Sequence, residues 1–143
     1  MGWATGAKAH LQEAIGLAAV LSGTYEAFEG MLSVIRAHES RAEGMFAAFV
    51  MSAASAANGR DAVAGAPSLP RTGGGIQAPA ERDLAAAASV KEIARDLAGL
   101  GRVLTGRLAA AASSAPHPAD RAACAAAARH AGHICVLLSG AGP

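Results

Sequence analysis

The chain has 143 residues, of which 52% are hydrophobic, 16% charged and 3% aromatic, with a net charge of +1. This excludes a disordered, charge-rich chain and gives no global field that would recruit nucleic acid or another polyanion. The first 70 residues are net −2 and the rest net +3, an asymmetry suited to helix pairing and little more.

Alanine dominates the apolar share. It is the best helix former, while β-branched and aromatic residues are scarce, so the composition points to helices throughout. Leu11, Ile15, Ala18, Leu21, Tyr25, Phe28, Leu32 and Ile35 recur at steps of three or four. They predict a first helix from about Thr5 to His38, broken at Gly23 if anywhere. Gly16, Gly23 and Gly30 recur every seven residues and, with Ala19 and Ala27, make a strip where another helix could lie close.

Ser40-Arg-Ala-Glu43 has the form of a capping box and predicts a second helix over about 41–57, ending at Asn58-Gly59. From Met45 to Gly59 it lacks charge, and its large residues do not keep to one face. Such a helix is buried all round, by a linker, by a second copy of the chain or by another protein or membrane surface. A second copy is the expectation, with Met45, Phe46, Phe49 and Val50 at the contact and Phe28 and Leu32 in support.

Residues 60–80 hold three prolines and a glycine triplet and read as a linker, flexible over Thr72–Gly75. Val90, Ile93, Leu97, Leu100, Leu104 and Leu108 stripe a third helix over about 80–112, and Pro118 opens a fourth ending near Ser139. The expected fold is all-α: a four-helix bundle-like arrangement of two antiparallel helical hairpins. These span 4–58 and 81–139, joined by a Pro/Gly-rich linker over 59–80 in one domain of 1–143.

Chemistry is sparse. Glu26 and Glu29 read as solvated, and Glu-x-x-His is absent. His130 and His133 share a helix face near Cys124 and Cys135, but neither Cys-x-x-Cys nor His-Glu-x-x-His is present, so no metal or cofactor is expected. The two cysteines read as reduced small hydrophobes. Without Gly-x-Ser-x-Gly or a Walker lysine, no enzyme is indicated. No uncharged run reaches the roughly 20 residues of a membrane span, so no transmembrane segment is expected and the setting reads as cytoplasmic. The wealth of Ala, Gly and Arg suggests a bacterial source.

One stretch bears a resemblance. Residues 90–108, VKEIARDLAGLGRVLTGRL, contain an Ile-Ala-Arg-x-Leu run leading toward glycines and then Leu104 and Leu108. It resembles the helix-turn-helix of bacterial DNA-binding regulators. The resemblance implies that Arg102, Thr105 and Arg107 face the major groove. The same residues also read as one continuous amphipathic helix. The sequence thus supports a non-catalytic helical interaction module, a homodimer or a partner of another helical protein, with a small DNA-binding regulator as the alternative.

Overall fold

The computed structural model describes residues 2–71, 73, 75–85 and 89–140. Among them the chain is all-helical, without a strand. Six helices pack against each other: α1 (Gly2–Glu13), α2 (Leu17–His38), α3 (Phe46–Ala64), α4 (Glu81–Leu84), α5 (Val90–Ser114) and α6 (Pro118–Gly140).

The first expected helix is two. The break falls at Gly16, whose φ of 90° is open to glycine without strain, and not at Gly23, which lies inside α2. The chain reverses there and α1 folds back along α2. Trp3 lies over Gly30 and Leu11 over Gly23, so the strip of small residues is occupied by the chain's own first helix. A Cβ on Gly30 would stand 2.0 Å from Trp3 Cζ2.

The start of α3 also departs from the capping box. Glu39–Arg41 form one 3-10 turn, Gly44 takes a φ of 76°, and α3 begins at Phe46 with no side-chain cap. One reason is visible in His38, fully buried. Its Nδ1 accepts from Arg41 Nε at 3.1 Å, and its Nε2 lies 3.2 Å from the Asp83 carbonyl. Asp83 O accepts only, so Nε2 carries the ring proton. Holding Arg41 this way continues the α2 end into a turn.

At its other end α3 runs through Asn58-Gly59 to Ala64, because Gly59 is used for packing against Phe28 and not as a terminator.

The third expected helix is also divided: α4 ends before Ala85, whose backbone is extended, and α5 starts after Ser89. Ser89 caps α5 by accepting from the Glu92 amide at 3.1 Å. Ile93, Leu97, Leu100, Leu104 and Leu108 are all buried, as their spacing requires. Gly101 brings α5 against the α6 backbone; a Cβ there would stand 3.1 Å from the Ala131 carbonyl oxygen. Pro118 occupies the first position of α6, where its missing N–H costs nothing. Arg121 closes the α5–α6 turn by donating to the carbonyls of Ala115 and Pro116.

The Pro/Gly-rich segment is tied down at three points. The Ser68 amide and hydroxyl donate to Asp120, the Ile76 amide to Glu26 Oε1 at 3.1 Å, and the Trp3 indole to the Gln77 carbonyl at 2.7 Å. Glu26 is therefore a structural acceptor, not a solvated side chain. Of the stretch expected to be flexible, Thr72 and Gly74 lie outside the described residues.

The expectation about membranes needs correction. By length and composition α6 is apolar enough to cross one, with 23 residues and a mean hydropathy of 1.2 over its best window. A count that stops at Arg129 misses it, because a span tolerates an occasional charge. Here α6 packs on α5 and α3 through Cys124, Ala127, Ala131, Ile134 and Leu138, all buried.

Candidate functional site

α3, uncharged from Phe46 to Gly59, is covered on two sides. α3 packs against α2 and α6, and Phe49, Ser52, Ala53, Ser55, Ala56, Gly59 and Val63 are buried between them. The remaining side is open. Phe46 is 57% exposed, Met51 55% and Val50 41%, and Ala47 and Ala54 lie between them, also exposed. These residues follow each other at helical steps of three and four, so they form one stripe.

The six residues expected at a contact therefore separate. Phe46 and Val50 lie on the open stripe. Phe28 and Phe49 are fully buried, and Met45 is nearly so. These three lie in the chain's own core: Phe28 is held against Gly59, and Met45, just ahead of α3, faces inward. Leu32 is half-buried against the core. Met51 belongs to the stripe and was missed, because an all-apolar helix gives no sign of which side its neighbours leave free.

The residues resembling a recognition helix stand on one uninterrupted helix, Val90–Ser114, with no turn at Gly99. The continuous buried leucine stripe and the use of Gly101 in the α5–α6 contact account for this. Thr105 donates its hydroxyl back to the Gly101 carbonyl at 2.7 Å. Arg107 donates to the Ala14 carbonyl at the end of α1, and Arg102 is exposed.

His130 and His133 stack edge-on with ring centroids 6.0 Å apart. Burial, then the neighbouring His133 and Arg129, push the His130 imidazole below its usual range, and its Nδ1 is buried without a hydrogen-bond partner. Among the described residues no three His, Cys, Asp or Glu side chains gather at one point.

Asp120 is a buried, strongly organised carboxylate. It accepts from the Ser68 hydroxyl at 2.6 Å and the Ser68 amide at 3.0 Å, and these bonds hold its carboxyl below the usual carboxylate range. One turn on, burial pushes the Cys124 thiol up, and the Asp120 charge adds to it. The Asp120–Ser68 bonds fasten the linker to α6, while Cys124 lies buried in the core. Neither lies near the open stripe's exposed residues in sequence, and neither offers a nucleophile to solvent.

No protein-family model, curated protein or solved structure matches the chain.

Proposed function

We propose that the protein is a non-catalytic helical interaction module that self-associates through the open stripe of α3. The observation that carries this is the joint exposure of Phe46, Val50 and Met51 on a helix whose other sides are packed. The reading includes two antiparallel hairpins joined by the Pro/Gly-rich segment, in a cytoplasmic setting where Cys124 and Cys135 stay reduced.

A second copy fits the stripe for a chemical reason. Between Phe46 and Asn58 the helix carries no charge, so two copies can meet there without burying an unpaired ion or opposing like charges. Ala47 and Ala54 are small enough to let two helix axes approach.

Magnitudes decide what kind of dimer this is. Fully burying a Val, Phe or Met side chain contributes about 1.5–3 kcal/mol, and roughly half of each remains to be gained here. Two copies together bring about 5–9 kcal/mol, against an association cost of about 4–15 kcal/mol. Only the favourable end of this balance leaves a surplus, at most about 5 kcal/mol, so the proposed dimer is weak, with a Kd no tighter than about 0.1 mM, and its population depends on concentration.

The test is absolute mass by size exclusion with light scattering over a hundredfold concentration range, for the native chain, Phe46→Glu and Met51→Glu. The native chain should shift from monomer toward dimer as concentration rises, and both variants should stay monomeric with unchanged helical content. Phe49→Glu is unsuitable, since it would place a charge in the core and unfold the chain. A native chain that is monomeric throughout would defeat the proposal.

A further inference from the structure

A second feature, independent of the α3 stripe, lies where α5 passes the carboxyl end of α6. A cavity of about 300 Å³ opens there. Its apolar lining is made by Met45, Ala94, Ala98 and Leu138, each buried. Its rim carries Lys91, Arg95 and Arg102, all exposed. Gly99 completes the α5 wall, and Lys8 Nζ lies beside it, 3.5 Å from where a Cβ on Gly99 would stand. Among the described residues no carboxylate lines the cavity.

We propose that this cavity binds a small amphipathic anion, a phosphate or carboxylate group carried on a short apolar chain.

The spacing explains the arrangement. Positions 91, 95, 98 and 102 are separated by steps of four, three and four, so three cations and one alanine share a single face of α5. Glu92 and Asp96 fall on another side of the helix. Like charges on successive turns repel each other, and among the described residues none of the three makes a hydrogen bond or ion pair that would offset this. An anion at the rim removes that repulsion. It gains charge-assisted hydrogen bonds from guanidinium groups suited to bidentate contact. The apolar lining below offers nothing to a bare ion, yet accepts a short hydrocarbon. A volume of this size is at the small end of ligand sites, which sets the scale of the guest. The competing account is that the cations complement the last carbonyls of α6, near Leu138 and Ser139. It explains the charge and leaves the apolar lining without a role.

The test is calorimetric titration of the full chain with octyl phosphate below its micelle concentration, inorganic phosphate and octyl glucoside. Octyl phosphate should bind saturably at one site per chain. Inorganic phosphate should bind about tenfold or more weakly, and octyl glucoside should not bind at the same concentrations. The double variant Arg95→Gln with Arg102→Gln should lose roughly tenfold for each cation removed. Both positions are exposed and Gln is as good a helix former as Arg, so the fold should survive and circular dichroism should be unchanged. Arg129→Gln, which removes a charge elsewhere, should bind as the native chain does, and so should Met51→Glu, whatever its effect on mass. Absence of octyl phosphate binding would overturn the proposal in favour of the α6 carbonyl account. Equal binding of octyl glucoside, an unaffected double variant, or equal loss in Arg129→Gln would also overturn it. So would a preference for phosphatidylglycerol vesicles over the soluble anion, which would make the region a membrane-facing surface.

Discussion

Phe28 lies so close over Gly59 that a Cβ on the glycine would stand 2.6 Å from the ring carbons Cε1 and Cζ. Gly59 is inside α3, where alanine would ordinarily stabilise a helix by up to about 1 kcal/mol. Here the ring is fully buried and has nowhere to move without displacing α2 from α3. Gly59→Ala should therefore destabilise the chain by about 1–3 kcal/mol, the usual cost of overpacking, despite its better helix propensity. Urea unfolding followed by circular dichroism checks the sign, and a stabilised variant would show that the ring can shift.

Phe46 and Phe49 are three residues apart and should behave as opposites. Phe49 is fully buried, so Phe49→Ala should cost about 3–5 kcal/mol. Phe46→Ser removes an exposed ring and should change the monomer's stability by no more than about 0.5 kcal/mol. Paired denaturation curves at low concentration, where association is negligible, make the comparison.

Much of the fold was legible where one side of a helix is apolar and the other polar. The α5 stripe is buried from Ile93 to Leu108, with Val90 at its start partly so, and Pro118 marked the start of α6. Legibility failed where the deciding partner is remote. The turn at Gly16 serves α1, which must reach Gly30 and Gly23; nothing local distinguishes Gly16 from Gly23. Ser40 and Glu43 match a cap in spacing, but the Arg41–His38 hydrogen bond holds the chain between them in the 3-10 turn that ends α2. The open stripe of α3 was half legible: the lack of charge identified the helix, while the choice of Phe46 over Phe49 depends on where α2 and α6 lie.

The pairing of Asp120 with Ser68 makes stability depend on pH in one direction. The folded carboxyl titrates below its ordinary value of 3.8, chiefly through the Ser68 hydroxyl and then its amide. The stabilisation is thus present in full above about pH 4 and is lost as pH falls through the lower, folded value. Asp120→Asn should be less stable than the native chain at neutral pH, and the gap between them should narrow as acid is added below pH 4. Melting curves from pH 7 to pH 2.5 check this; a gap constant across the range would remove Asp120 as its cause.

The two thiols should react at different rates. Cys124 is fully buried and held protonated by burial and by Asp120, whereas Cys135 is only half-buried. In the native chain at pH 8, a disulfide reagent such as Ellman's should label Cys135 first, with Cys124 labelled only at the rate of unfolding. Cys135→Ser should leave almost no fast-reacting thiol.

The doubling-back of α1 has a consequence for synthesis. Its buried residues Trp3, Ala4, Ala7 and Leu11 are made before the helices they pack on, and α2 can receive Trp3 over Gly30 within a few dozen residues. The Gln77 carbonyl that takes the indole proton and the Arg107 guanidinium that holds the Ala14 carbonyl come much later. At about 5–20 residues per second, the 93 positions between Ala14 and Arg107 take on the order of 5–20 s to make. Throughout that interval the nascent chain carries an amphipathic helix with half of its binding surface not yet in existence. A helix made ahead of its partners is thus among the last to be secured.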